Sequence, residues 1–187
     1  MSKTKDDIDL KIMKPLCEDS RKSTTQIAKE AGTSRPTAIA RIKHLSENRI
    51  IDFGAKLNLT KLGLKLATVN FEIDKAEESQ HLIDKLKLCP RVIQLIQSVG
   101  KLNYSALIYA EDAETFLSTI DCLESLLDIK LTSFQRVLPL IGESFSLKIE
   151  LEKCAKAPCG KECGICLSYQ HVECAGCPAT KEYKGPI

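Results

Sequence analysis

Between Ser23 and Glu47 the chain carries two short helical stretches around a glycine, and no other feature constrains its fold as tightly. Thr24 or Thr25 can cap a first helix, Gln26-Ile-Ala-Lys-Glu-Ala31. Gly32 follows and supplies the left-handed turn that a residue with a Cβ resists. Ser34 stands as the next N-cap, and Pro36 falls in the first turn, where its missing N–H costs nothing. From there Ile39, Ile42 and Leu45 are predicted to line one face of a helix running to about Glu47. A preceding helix is predicted from Ile8, Ile12 and Leu16, with Asp6, Asp7 and Asp9 in its first turn, where carboxylates favour the positive helix end. Two helices joined through Gly-Thr, the second opened by Ser and Pro, have the form of a helix-turn-helix. Ile50-Ile-Asp-Phe-Gly-Ala-Lys-Leu57 then reads as a strand, a tight turn at Gly54 and a second strand, which together make a wing.

In such a motif the early residues of the second helix reach base edges in the major groove, and flanking basic groups clamp phosphates. The residues expected to meet double-stranded DNA are Thr25, Ser34, Arg35, Thr37, Ala40, Arg41, Lys43 and His44, with Lys56 reaching backbone phosphate from the wing. Charge is distributed to match. Residues 1–65 hold fourteen Lys and Arg against eight Asp and Glu, while residues 66–150 hold eight against thirteen, beneath a net charge of +2. A basic module beside an acidic one suits a nucleic-acid reader joined to an assembly or sensing domain. No run of eighteen apolar residues exists, and the first seven residues have no apolar core behind their charges, so a cytoplasmic protein without a membrane span is expected.

Leu57 to Gly63 reads as a hinge. Strand-like segments follow at Leu66–Ile73, Val92–Val99, Tyr104–Tyr109 and Ile129–Leu138, with helical periodicity at Ala76–Leu88 and Ala113–Leu127. The order βαββαβ is that of a ferredoxin-like sandwich, so the fold class is α+β. The helices would cover one sheet face, and dimerisation would cover the other. Gly100 and Asn103 suit a β-turn between the middle strands.

Cys17, Cys89 and Cys122 lie among apolar neighbours and read as small buried hydrophobes. The other six cysteines crowd the end as Cys154-x4-Cys159-x3-Cys163-x2-Cys166-x7-Cys174-x2-Cys177-Pro178. Two C-x-x-C pairs seven residues apart bring four thiolates to one centre. Cys159, Cys163, Cys166, Cys174 and Cys177 are therefore the expected metal ligands. Zinc would take Cys163, Cys166, Cys174 and Cys177, with His171 as a substitute, whereas the Cys-Pro ending echoes [4Fe–4S] ferredoxins. Both cofactors stay open on the residues alone. The domains expected are 1–62, a winged helix-turn-helix, 63–150, a ferredoxin-like sensing and dimerisation domain, and 151–187, a cysteine-rich tail.

Asp7-Ile-Asp-Leu-Lys-Ile12, Arg21, Thr25-Gln-Ile-Ala28, Gly32-Thr-Ser34, Thr37, Arg41-Ile-Lys-His-Leu45 and Ile50-Ile51 resemble the winged helix of Lrp/AsnC (feast/famine) regulators. Arg49 stands where that family usually has Gly, which implies a less constrained turn or an additional phosphate contact. Pro90-Arg-Val92 and Val99-Gly-Lys-Leu-Asn-Tyr104 resemble the entry to strand two and the Gly-x-x-Asp turn of the family's second domain. The resemblance covers about residues 6–148. It implies a non-enzymatic homodimer or higher homo-oligomer, with a small-molecule effector near Gly100, Leu102, Asn103 and Tyr104. Asn103, in the acidic position, can hydrogen-bond an ammonium group but brings no charge. Two other readings remain. One is a zinc or iron–sulfur redox or electron-transfer protein that uses its winged helix for protein contacts. The other is an enzyme similar to the sirohaem decarboxylases of this fold group, for which the sheet domain offers only His81, Arg91 and Arg136.

Overall fold

A computed structural model describes residues 7–73, 76–127, 133–137, 139, 144–149 and 152–187. The chain forms two compact units, Met1–Ala55 and Lys56–Ile187. Residues 56–62 and the cysteine-rich segment, expected to lie outside the sheet domain, therefore both fold within the second unit. No helix among the described residues is long and apolar enough to cross a membrane.

The first unit contains α1 (Asp7–Glu18), α2 (Thr24–Glu30) and α3 (Arg35–Glu47). Ser23, rather than Thr24 or Thr25, caps α2. Its Oγ accepts from the Gln26 N–H at 3.3 Å, and the Ser23 N–H donates to Gln26 Oε1 at 2.9 Å. This reciprocal pair is a capping box, spelled Ser-x-x-Gln in the sequence. At the other end Gly32 takes φ 65°, and the Thr33 N–H donates back to the Ala28 carbonyl at 2.9 Å. That bond and the one from Gly32 to Lys29 close a Schellman motif and turn the chain toward α3. The core is Ile12, Leu16, Ile27, Ala28, Ala31, Ala38 and Leu45. Ile39 departs from expectation, remaining 45% exposed because Ala38 and Leu45, two turns apart, set the buried line of α3.

Helix α3 ends in the same motif with a less favoured residue. Arg49 adopts φ 53°, and the Ile50 N–H donates to the Leu45 carbonyl at 2.9 Å. The turn is thus no less constrained than one built on glycine. A left-handed residue with a Cβ costs about 1–2 kcal/mol, and glycine's extra freedom in the unfolded chain offsets part of that. Arg49→Gly should therefore stabilise the first unit by about 0.5 kcal/mol, read as a rise in urea midpoint, and a lowered midpoint would contradict the strain argument.

The expected wing hairpin is not formed. Residues 52–56 carry no strand, and Leu57–Asn58 (β1) pairs antiparallel with Ser144–Phe145 (β6). One local and one long-range preference act against it. The Asp52 carboxylate accepts from the Phe53 N–H at 2.9 Å, a bond that competes with a hairpin ladder. Leu57 and Phe145 pack instead on the cluster of Leu59, Leu64, Leu66 and Tyr109.

The second unit continues through β2 (Lys65–Phe71), α4 (Ala76–Leu88), β3 (Val92–Gln97), β4 (Tyr104–Ala110), α5 (Ala113–Leu127) and β5 (Ser133–Val137). Residues 129–132 and 138 of the expected last strand lie outside the described ones. The sheet order is β3-β4-β2-β5, and every pairing is antiparallel, as a ferredoxin-like sandwich requires. Alternation of side chains then separates two faces. Ala67, Val69, Phe71, Ala106 and Ile108 bury against Phe116 and Leu123 of α5 and Leu86 of α4. The opposite face is half apolar, where Leu66 and Tyr109 carry Leu59, Leu64 and the chain's final Ile187. Its other half is polar. There Ser105 donates to Asn70 at 2.6 Å and Asn70 donates to Ser133 at 2.8 Å across three strands.

Candidate functional site

Helix α3 is capped by Ser34, whose Oγ accepts from the Thr37 N–H at 3.3 Å and lies 2.8 Å from the Thr37 hydroxyl. Arg35, Pro36, Thr37, Ala40, Lys43 and His44 are all exposed, as is Thr25 on α2. Arg35 Nε lies 3.4 Å from Thr24 Oγ1, which ties it to the start of α2, and Lys43 pairs loosely with Glu47 at 3.7 Å. Lys56 is exposed and belongs to the second unit. Arg35, Thr37, Lys43 and His44 give α3 a donor-rich outer surface of the kind that enters a major groove.

Arg41 is placed differently from its neighbours. It is half-buried, and its guanidinium stands 3.7 Å from the carboxylate of Asp9, which is buried on α1. Arg41 thus neutralises a charge inside the three-helix unit. Arg41→Ala should cost about 1–2 kcal/mol of stability, between the ranges for exposed and buried pairs. Asp9→Asn in the same background should recover part of that loss in a denaturation series. A fully stable R41A protein would assign Arg41 to the DNA surface instead.

In the second unit the turn after β3 is closed by side chains. Asn103 Nδ2 donates to the Ile73 carbonyl at 2.8 Å, and its Oδ1 accepts from the Ile73 N–H at 3.0 Å. Ser98 donates to the carbonyls of Asn103 and Leu102, at 2.9 and 3.1 Å, around Gly100 with φ 139°. Tyr104 is buried and stacks on Phe71 with ring centroids 5.7 Å apart. Of the four residues expected near an effector, Gly100 is exposed, Leu102 and Asn103 are partly exposed, and Tyr104 is buried.

The cysteine-rich segment is docked on the sheet domain's helix layer. Arg91, which opens the approach to β3, is buried and forms an ion pair with Glu111 at 2.8 Å. Its second amino group donates to the Gly176 carbonyl at 2.6 Å, and its guanidinium stands over the rings of Tyr109 and Tyr183. Tyr183 in turn donates to Glu111 at 2.6 Å. Burial opposes Arg91's charge, yet Glu111 beside it outweighs that effect and raises its pKa. Helix α5 holds the segment as well: the Ala175 N–H donates to Thr115 Oγ1 at 3.0 Å, and Ser118 donates to the Glu173 carbonyl at 3.2 Å.

Between this segment, the end of α4 and the middle of α5 lies a cavity of about 200 Å³. Cys159, Cys163, Cys166, Cys174 and Cys177 all line it, and so do Cys89 and Cys122 of the sheet domain. Cys154 does not; its backbone bridges to Thr180. His171, an exposed residue just after the short helix Leu167–Gln170, is also absent from the lining. All nine cysteines are free thiols. Cys163–Ile165 forms a 3-10 turn in which the Cys166 N–H donates to the Cys163 carbonyl at 3.1 Å, and the Cys177 N–H donates to Cys163 Sγ at 3.4 Å. Burial pushes Cys89 and Cys174 up and Cys177 up to about 12. Cys122 donates a hydrogen bond to Cys159, which holds Cys159 below the usual thiol range and raises Cys122. Among the described residues, no three His, Cys, Asp or Glu side chains are drawn to metal-binding distance of one point.

Residues 6–46 match the AsnC-type helix-turn-helix domain. The HTH-type transcriptional regulator LrpA of Pyrococcus abyssi is 34% identical over 116 residues, which are 62% of this chain and 82% of that one. The HTH-type transcriptional regulator Ptr1 of Methanocaldococcus jannaschii is 32% identical over 111 residues, 59% of this chain and 75% of the relative. The chain belongs to the Lrp/AsnC family of transcriptional regulators. It is a DNA-binding regulator of the Lrp/AsnC type. Its fold is shared with the leucine response regulatory protein of Mycobacterium tuberculosis, at TM-score 0.66 and 18% identity, over 74% of this chain and 95% of that one. A transcriptional regulator from Neisseria meningitidis, solved as a complex with L-Met, has TM-score 0.62 and 23% identity over 78% and 97%. About a quarter of this Lrp/AsnC protein thus has no counterpart in structures that are themselves almost wholly matched. Cys89 and Cys122 were invisible as candidates in the sequence, since each is distant from the others and sits among apolar residues. Only their position against the docked segment distinguishes them from Cys17, which is exposed on α1.

Proposed function

We propose that this regulator binds specific duplex sites as a homodimer or larger assembly, and that a thiolate-held metal centre conditions its occupancy of DNA. Cys159, Cys163, Cys166, Cys174 and Cys177 would hold the centre, either Zn²⁺ or a [4Fe–4S] cluster. The observation that supports this is the convergence of all five on one cavity. The N–H of Cys177 aimed at Cys163 Sγ is the kind of outer contact that orients and tunes a thiolate ligand. A segment this short lacks a core of its own, so metal binding would supply part of its folding energy. Thr115 and Ser118 place the segment on α5, and a change there reaches the domain that assembles subunits in this family reading. An effector near Gly100 would be met chiefly by backbone groups and Leu102, because the Asn103 amide is spent on Ile73 and Tyr104 is buried.

The test begins with anaerobic purification, metal analysis and a visible spectrum. Duplex binding is then titrated at several salt concentrations before and after air oxidation or chelation. Affinity should fall steeply with salt, since phosphate contacts release counterions. Oxidation or metal removal should change affinity by about 5–150-fold, the usual span of coupling between two sites. Metal-free, colourless protein that binds the same duplex equally before and after oxidation would remove the conditional part of the proposal. Absence of salt-dependent duplex binding would remove the rest.

A further inference from the structure

We propose that Cys89 and Cys122, which belong to the sheet domain, supply two of the four thiolates of the centre and the tail cysteines the other two, so that the centre bolts the tail to α4 and α5. This rests on the metal-binding reading above and extends it to residues that no motif includes. Both side chains line the cavity from the wall opposite the tail: Cys89 follows the last residue of α4, and Cys122 lies within α5. Cys122 and Cys159 both line that gap, one from α5 and one from the tail. Seven of the nine cysteines face one space, and the two that do not, Cys17 and Cys154, are both exposed.

The cavity is held open by contacts independent of the thiols. Arg91 grips the Gly176 carbonyl, and Thr115 grips the Ala175 N–H, so the two walls keep their spacing. A cysteine has one side-chain rotor, and changing its rotamer moves Sγ by about 3 Å, comparable with a metal–sulfur bond of about 2.3 Å. Closing on one ion therefore requires such rotamer changes, since no three of these thiols stand at metal-binding distance of one point beforehand. Each ligating thiol would release its proton to solvent as the sulfur–metal bond forms. Four thiolates around a divalent ion carry net negative charge, and the cations Arg91 and Lys161 line the same cavity, with Asp121 the one carboxylate among the lining residues. The shared chemistry is tetrahedral thiolate ligation, by which either zinc or the irons of a cluster would be held.

The experiment uses the full chain, reduced under nitrogen. One arm titrates Zn²⁺ against a chromophoric chelator; the other reconstitutes with Fe²⁺ and sulfide and reads visible absorption, which separates the two kinds of centre. C89A/C122A should bind zinc about 100-fold more weakly or form no cluster, while C17A matches the parent. C163A/C166A serves as the reference for the tail ligands. If C163A/C166A loses the metal and C89A/C122A keeps parental affinity, the bridging assignment is wrong and the tail centre stands. If the parent binds neither metal, both readings fall together. Should C89A/C122A fail to fold, alkylation of the unmodified chain decides. Metal loading should slow modification of Cys122 by about tenfold or more and leave Cys17 unchanged. An unaltered Cys122 rate in protein that has bound metal would overturn the assignment.

Discussion

Arg91→Ala should destabilise the second unit by about 3–5 kcal/mol, the usual cost of removing one partner from a buried ion pair. The side chains of Arg91 and Glu111 are only 5% and 12% exposed, so neither water nor salt replaces the lost charge. Glu111 would keep the Tyr183 hydroxyl as its remaining donor and lose the cation beside it. The second consequence is local. Without the 2.6 Å bond to the Gly176 carbonyl, the tail loses its deepest anchor on the sheet domain. Trypsin should then cut at Lys153, Lys156 or Lys161 well before the sheet domain is attacked. Arg91→Lys should fall between parent and Ala, because an ammonium retains the charge but cannot serve Glu111 and Gly176 with a planar fork. A urea midpoint within error of the parent, with the tail still protected, would show that the tail is held by its other contacts.

The other large effect concerns DNA. Arg35→Ala should weaken binding to a selected duplex by about 1–3 kcal/mol, roughly 10–100-fold, and relax the sequence preference, since Arg35 is the first helical residue of α3 and fully presented. Lys43→Ala, two turns further along, should weaken all duplexes alike and lower the slope of affinity against salt by about 1. Anisotropy titrations with a duplex recovered from a random pool, repeated with scrambled DNA, would measure both. Loss of specificity from K43A with none from R35A would reverse the two roles and move base reading toward the end of the helix.

The three-helix head was legible because its signals are local. Ser23 with Gln26, Gly32, and Ser34 with Thr37 each act within one turn of the backbone, so adjacent residues carry the information. The βαββαβ order was legible for a similar reason, as each strand and helix declares its own period. Pairwise decisions between distant residues were not legible. The periodicity that grouped Ile39 with Leu45 could not say that Ala38 would be buried in Ile39's place, or that Arg41 would pair with Asp9. Leu57 read as the end of a wing, yet its strand partner is Phe145, 88 positions away.

The helix-turn-helix pattern with which the chain announces itself was therefore determined by sequence alone, down to the glycine that turns it and the serine that opens α3. So was the crowding of six thiols at the end. What only the tertiary structure decided is that those thiols are not a free appendage. A buried Arg91–Glu111 pair and two hydroxyls on α5, one accepting and one donating, press the tail onto the sheet domain and bring Cys89 and Cys122 to the same cavity. Spacing along the chain encodes which groups can share a turn; burial of charge and the packing of a helix layer determine which distant groups share a wall.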